Sequence, residues 1–269
     1  MISFEIKIIQ KSSGRIVSIT PPLHLYYADP FIIGTSNDGV TIIYEVYDRV
    51  KRKGRIDYAI INFEENKVTQ RVLLEEAFHL SYPCPILIDD DLYISPESSE
   101  IGKQYFYKIT KSGDYYKSIK ISSIRQRMVD ATFFNTKNPS ELSVYFYTGL
   151  GNDDGMLVSC KLAFREHAIL EIQDLKVIGS ARPAGILPGK IQPFQRSGGG
   201  YGKGLDFKNI FDDFYVFGAI ENISSVDDYI ISQSDFSHHI NECSNYICFD
   251  ILSSPKINIK QKFLFSVIT

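Results

Sequence analysis

Two aspartates stand where apolar strands should begin. In YYADPFII, Asp29 lies between two tyrosines and a Pro-Phe-Ile-Ile run; later, Asp130 stands in VDATFF. A carboxylate at the mouth of a hydrophobic strand is costly unless it is paired, hydrated or used. Taken alone, Asp29 reads as a turn cap before the strand, with Pro30 as the first strand residue, where a missing N–H is tolerated. Put to use, the same carboxylate is a base or a nucleophile. The elements that carry these residues must decide between the two.

Nearly every segment reads as strand. VTIIYEVYD, GRIDYAIINF, CPILIDDDLYIS, KQYFYKIT, ELSVYFYTGL, DDFYVFGAI and SNYICFDIL are short β-branched and aromatic runs. Turn signals separate them, among them Ser36-Asn37-Asp38-Gly39 and Lys111-Ser112-Gly113-Asp114. TQRVLLEEAFHL, residues 69–80, comes nearest to an amphipathic helix and reads equally as an outer strand plus a loop. No low-complexity linker divides the chain, so residues 1–269 are expected to form one all-β domain.

Strand openings of related texture recur at ADPFII, SYPCPILI, VDATFF, ARPAGIL and HHINEC. Their leading positions, near Asp29, Cys84, Asp130, Arg182 and His238, are roughly 45 to 56 residues apart. Such spacing marks propeller blades, each a four-stranded sheet with its first strand on the central channel. The expected fold is a five-bladed β-propeller. ISFEIKII has no blade of its own and is expected to complete the terminal blade, which hides two sheet edges.

In that arrangement the openings converge. Asp29 and Asp130 occupy blades one and three; blade two brings His79, Tyr82 and Glu97; blade four brings Arg182; blade five brings His238 or His239 with Asn241. Titratable groups gathered at one concave end make a candidate active site. Arg182 suits a bidentate contact with phosphate, with Lys190 or Arg196 assisting, or an ion pair with Asp29 or Asp130. His238 and His239 alternate sides on a strand, so one of them faces the channel. SGGGYGKGLD lacks the GxxxxGK[ST] pattern and reads as a rim loop.

Composition excludes several classes. A formal net charge of −3 over 269 residues lacks the basic field of a nucleic-acid polymer binder. No apolar run approaches a membrane span, and MISFEIKIIQ carries no signal-peptide core, so a cytoplasmic setting is expected. Cys84, Cys160, Cys243 and Cys248 form no CxxC pair and read as small buried hydrophobes; no metal site is expected from them. With no Trp, the 17 Tyr and 18 Phe supply all large stacking surfaces.

YADPFII followed by VDATFF resembles the five-bladed propeller glycosidases of the family 43 type. That resemblance implies Asp29 as general base and Asp130 as the residue that tunes and orients the acid. A closer pattern runs from about Tyr27 to Asp250: ADPF, a Glu at Glu45, GRID, HLSYP, DLYISPES, DATFF, ARPAG, GKIQPFQ, YG and HHIN. It looks like the propeller domain of glucosamine inositolphosphorylceramide transferases and their bacterial relatives. There the propeller accompanies a separate glycosyltransferase domain or protein. The likeness adds Glu45, Gln195 and Tyr201 to His79, Tyr82, Arg182, His239 and Asn241 as substrate-side residues. In those glycosidases a blade-five His helps to hold a central water or calcium ion, and the resemblance implies that role for His239. The glycosidases carry their general acid, a Glu, at the opening of blade four, where this chain reads ARPAG. Glu97 is the expected substitute, with Glu221 next, unless the leaving group is a phosphate that needs no proton. The expected function is glycosyl transfer from a phosphate-linked sugar in polysaccharide or glycolipid assembly. The alternatives are a glycoside hydrolase and a non-catalytic glycan-binding propeller.

Overall fold

The computed structural model describes residues 3–194 and 239–253, apart from residues 37, 89, 114, 136, 137, 139, 150–154, 166, 167, 180, 181, 188, 189 and 244. The chain opens with the hairpin β1 (Ser3–Gln10) and β2 (Arg15–Ile19). Three four-stranded antiparallel sheets follow in strict chain order. The first is β3 (Leu25–Thr35), β4 (Gly39–Asp48), β5 (Lys53–Asn62) and β6 (Lys67–Leu74). The second is β7 (Ser81–Ile88), β8 (Asp91–Glu97), β9 (Gln104–Ser112) and β10 (Tyr115–Ile124). The third is β11 (Val129–Asn135), β12 (Glu141–Tyr147), β13 (Leu157–Arg165) and β14 (Ala168–Gly179). The hairpin β15 (Arg182–Leu187) and β16 (Lys190–Phe194) comes next, and β17 (Ile240–Glu242) and β18 (Tyr246–Ser253) end the described chain.

The fold is all-β and arranged as a propeller. The innermost strands β3, β7 and β11 each pack on the next; β15 packs on β11 and pairs parallel with β17, which returns to β3. The hairpin joins the closing strands in one six-stranded sheet, in the order β16-β15-β17-β18-β1-β2, so the described residues form four sheets where the sequence predicts five blades; residues 195–238 lie outside the described set. Closure follows the sequence expectation. β1 pairs antiparallel with β18 from Ser3↔Ser253 to Gln10↔Tyr246, and β2 lies outside it. The first and last described strands thus share one sheet, so neither leaves its ladder groups unpaired at an edge.

Burial follows position in the sheet. β4 is buried along nearly its whole length because neighbouring sheets cover both of its faces. Outer β6 exposes Val68 and Val72, so residues 67–74 form a strand and residues 75–80 the loop after it, with no helix. One core joins the first three sheets through Phe31, Ile43, Tyr82, Ile94, Phe106 and Phe133. A second joins the first sheet to the terminal one through Ile6, Ile8, Tyr44, Val46 and Tyr246. Each such side chain contributes about 1.5–3 kcal/mol. Cys84, Cys160 and Cys248 are buried free thiols and Cys243 is half-buried. Burial pushes Cys84 and Cys160 up to about 12, which leaves them inert hydrophobes.

One buried carboxylate ties the closing sheet to the first. Asp250, fully buried on β18, accepts the backbone N–H of Asp29 through Oδ2 at 3.0 Å and that of His239 through Oδ1 at 3.1 Å. Removing it orphans two buried donors at about 1–3 kcal/mol each. Asp250→Ala is expected to lower stability by about 2–6 kcal/mol in chemical denaturation, and Asp250→Asn, which keeps one acceptor, by less. An Asp250→Ala variant as stable as the parent would show that closure does not depend on this carboxylate.

Candidate active site

The same irregularity recurs at the openings. In the first hairpin Ala28 pairs with Glu45 and Phe31 with Ile43, so Asp29 and Pro30 face Tyr44 alone. Tyr82 and Pro83 likewise face Pro96, Asp130 and Ala131 face Phe146, and Ala184 and Gly185 face Gln192. These are β-bulges, which interrupt a ladder and re-aim a side chain. Asp29, Tyr82 and Asp130 all take left-handed backbone, at φ 50°, 42° and 50°. Asp visits that region more readily than most residues, whereas an aromatic residue there is held by its surroundings.

The bulge corrects the sequence alignment of the openings. Asp29 lies within β3, four residues after its start, and does not cap a turn before it. Its equivalents are Tyr82, Asp130 and Ala184. Cys84 aligns with Phe31 instead, and Arg182 opens β15 two residues ahead of the bulge, paired with Phe194. Apolar texture slides along a strand by a residue or two, and the bulge alone fixes the register. Gln195, Tyr201, Arg196, Glu221 and His238 lie outside the described residues, as do the side chains of Arg182 and Lys190.

A bulge frees a backbone N–H, and carboxylates take it up. Asp29 Oδ2 accepts the Tyr82 N–H at 3.3 Å, and Glu97 Oε2 accepts the Asp130 N–H at 3.1 Å. With Asp250 on the Asp29 N–H, the same device appears at three successive openings, each time from the preceding sheet. Glu97 Oε1 also accepts the Ser99 hydroxyl at 2.6 Å. Tyr82 and Thr132 share a hydroxyl hydrogen bond of 2.8 Å. Burial, then Cys84, Asp130 and Asp29 nearby, raise the Tyr82 phenol well above its ordinary value. His239 is buried edge-on to Phe31 and Tyr82, and Asn241 Oδ1 accepts the Ile32 N–H at 2.8 Å. Among the described residues no group of three or more His, Cys, Asp and Glu is placed to hold a metal ion.

Beside this core stands a second pair. The loop after β6 brings His79 to β4, where Nε2 lies 3.9 Å from Glu45 Oε1 and the ring meets Tyr47 edge-on. Nδ1 accepts the Gly54 N–H at 2.8 Å, which puts the proton of the neutral imidazole on Nε2, facing Glu45. Burial holds His79 below its ordinary value, against the opposing pull of Glu100 and Asp29. The loop is pinned along its length. Glu76 meets Lys120 at 2.7 Å and accepts the Tyr107 hydroxyl at 3.0 Å, Phe78 stacks on Tyr105, and the His79 N–H donates to Glu100.

The structure thus brings together Asp29, Glu45, His79, Tyr82, Glu97, Asp130, His239 and Asn241 at the openings. Sequence reasoning missed Asp250, Thr132 and Gly54. Asp250 carried a signal, a lone carboxylate in the apolar run YICFDIL; Gly54 carried none.

The family profile described as "Glucosamine inositolphosphorylceramide transferase 1, N-terminal" matches residues 17–156. Glucosamine inositolphosphorylceramide transferase 1 of Arabidopsis thaliana is 27% identical over 127 residues, which is 47% of this chain and 16% of the plant protein. The chain therefore spans a small part of that relative. Among solved structures, a β-1,2-mannobiose phosphorylase from Listeria innocua aligns over 93% of this chain and 96% of its own, with TM-score 0.49 and 10% identity. An α-L-arabinofuranosidase from Podospora anserina aligns over 85% of this chain and 91% of its own, with TM-score 0.46 and 9% identity.

Gly54 sits where a side chain has no room. A Cβ there would lie 2.3 Å from the Leu80 carbonyl oxygen and 2.7 Å from His79 Cε1. Gly54→Ala is expected to cost about 1–3 kcal/mol and to break the Nδ1 contact. Denaturation reads the first effect and the imidazole resonances of His79 the second; unchanged resonances would mean that Gly54 does not set the tautomer.

Proposed function

The chain belongs to the glucosamine inositolphosphorylceramide transferase 1 N-terminal family, and from that premise we propose that it is a carbohydrate-active enzyme transferring a glycosyl unit at the strand openings. The observation that carries this reading is the gathering of Asp29, Asp130, Glu45 and His79 where three successive sheets open. Transfer at an anomeric carbon needs a group to take the proton of the incoming hydroxyl. Asp29 is assigned that role: Oδ2 is tied to Tyr82, which fixes the carboxylate in place. Asp130, on the equivalent bulge, orients and tunes the site. Tyr82, His239 and Asn241, with Arg182, Gln195 and Tyr201, are assigned to substrate contact.

The donor in this reading is a phosphate-linked sugar, used in polysaccharide or glycolipid assembly in the cytoplasm beside a partner glycosyltransferase domain or protein. The match to a small part of a plant transferase supports such a partner. Glycoside cleavage is the second reading. The Glu45 carboxyl beside the His79 imidazole favours it, since the leaving oxygen of a glycoside needs a proton source and a departing phosphate does not.

Asp29→Asn tests the reading. Its amide oxygen can still accept the Tyr82 N–H, so folding should survive while the base is lost. Turnover of a sugar-nucleotide and glycoside panel, followed by mass spectrometry, is expected to fall about 10²- to 10⁴-fold. Full activity in this variant would reduce Asp29 to a structural acceptor.

A further inference from the structure

A different kind of side chain stands three residues ahead of each described bulge. Tyr26 precedes Asp29 by that interval, His79 precedes Tyr82, and Arg127 precedes Asp130. The loops after β6 and β10 enter the next sheet alike, since Leu80 and Met128, one residue further on, are both fully buried. Each loop also meets the sheet before it. His79 lies against Glu45 and Tyr47 on β4, and Arg127 against Ser99, just past β8. An imidazole and a guanidinium thus hold equivalent places at two successive openings.

Arg127 is half-buried and tied to the third bulge. Its Nε donates to the Ser99 carbonyl oxygen at 3.1 Å, the Ser99 hydroxyl donates to Glu97, and Glu97 takes the Asp130 N–H on its other oxygen. Among the described residues the Arg127 side chain makes no ion pair and no other hydrogen bond. A guanidinium has five N–H donors, so the four on its two Nη nitrogens remain. Arg55 differs, because Asp57 fills its fork at 2.8 and 3.0 Å. The openings themselves gather Asp29, Glu45, Glu97 and Asp130, and a donor that carries phosphate is also an anion. A fixed positive charge offsets that repulsion, and the planar fork of Arg matches phosphate with two parallel N–H···O bonds. His79, which burial holds below its ordinary value, supplies no such charge at the equivalent place.

We propose that Arg127 binds the phosphate of the sugar donor through its two Nη groups. This rests on the reading of the openings as a glycosyl-transferring site with a phosphate-linked donor, and it names the residue that recognises the phosphate. The step balances with this chain's residues. The bond from C1 to the phosphate oxygen breaks, and its electron pair leaves with that oxygen, whose added charge Arg127 offsets. The acceptor hydroxyl oxygen bonds to C1, and its proton goes to Asp29 and from there to solvent. The Ser99 carbonyl positions the guanidinium; Arg127 touches the leaving group.

Inorganic pyrophosphate is the probe, and isothermal titration calorimetry on the full chain reads its affinity without any turnover. Arg127→Gln should weaken binding about 10- to 150-fold, the range for a hydrogen bond to a charged group. Arg127→Lys keeps the charge and loses the fork, so its affinity should fall between the two. Arg125→Gln removes an exposed charge from the same loop and should leave binding nearly unchanged. No binding to the parent, an unchanged affinity in Arg127→Gln, full affinity in Arg127→Lys, or an equal loss in Arg125→Gln each overturns the assignment. Should Arg127→Gln fail to fold, Arg127→Lys against the parent decides it. Failure of the inference and of the transfer reading are told apart by turnover. Sugar nucleotides consumed by a protein whose pyrophosphate affinity ignores Arg127 remove the inference and keep the reading. Pyrophosphate held by Arg127 in a protein that consumes no phosphate-linked sugar keeps the anion site and removes the reading.

Discussion

The structure depends on how backbone N–H groups released by bulges are satisfied away from water. A bulge turns a side chain toward the channel, but it also withdraws an amide from the ladder in a buried place. An orphaned donor there costs as much as a strong hydrogen bond contributes. The chain answers with carboxylates from the preceding sheet: Asp250 for Asp29, Asp29 for Tyr82, Glu97 for Asp130. Charge-assisted bonds to backbone amides are stronger than neutral ones, so three sheets and the closing strand pair are fastened where they converge. The acidic mouth is therefore built before any substrate is considered.

This double use gives the acidic groups at the channel end a structural task as well as a chemical one. Asp250 accepts two backbone amides, and Glu97 an amide and a hydroxyl. Asp29 gives one oxygen to the Tyr82 amide. Glu45 lies 3.9 Å from an imidazole whose Nδ1 accepts the Gly54 N–H.

The surrounding scaffold serves the same end. The loop bearing His79 is short, and its anchors are all on the second sheet or the first: Lys120 and Tyr107 on Glu76, Lys53 on the Glu76 carbonyl, Tyr105 under Phe78. Any one exposed ion pair contributes little. Together with aromatic stacking they leave the imidazole one position. Inside the first sheet, Arg55 grips Asp57 bidentately at 2.8 and 3.0 Å, and Gln70 donates to the Tyr44 hydroxyl, so the GRID segment is structural in this fold.

Much was legible in the residues themselves. β-Branched and aromatic runs punctuated by Asn, Asp and Gly turns state an all-β chain, because period-two burial and turn chemistry are local properties. The recurring openings state a repeat, and the unclaimed ISFEIKII states a closing strand, since a propeller must cover its edges. Asp29 in YYADPFII announced itself through the cost of a carboxylate in an apolar run. What the residues could not state was register and partnership. A one-residue bulge has no compositional mark, so Cys84 and Arg182 were aligned where Tyr82 and Ala184 belong. Asp250 meets Asp29 across more than two hundred residues of chain, and Gly54 meets His79 only because the loop after β6 folds back onto β5. Side-chain type is written locally; which amide a carboxylate satisfies, and which proton an imidazole keeps, depends on contacts that exist only once the sheets have closed on one another.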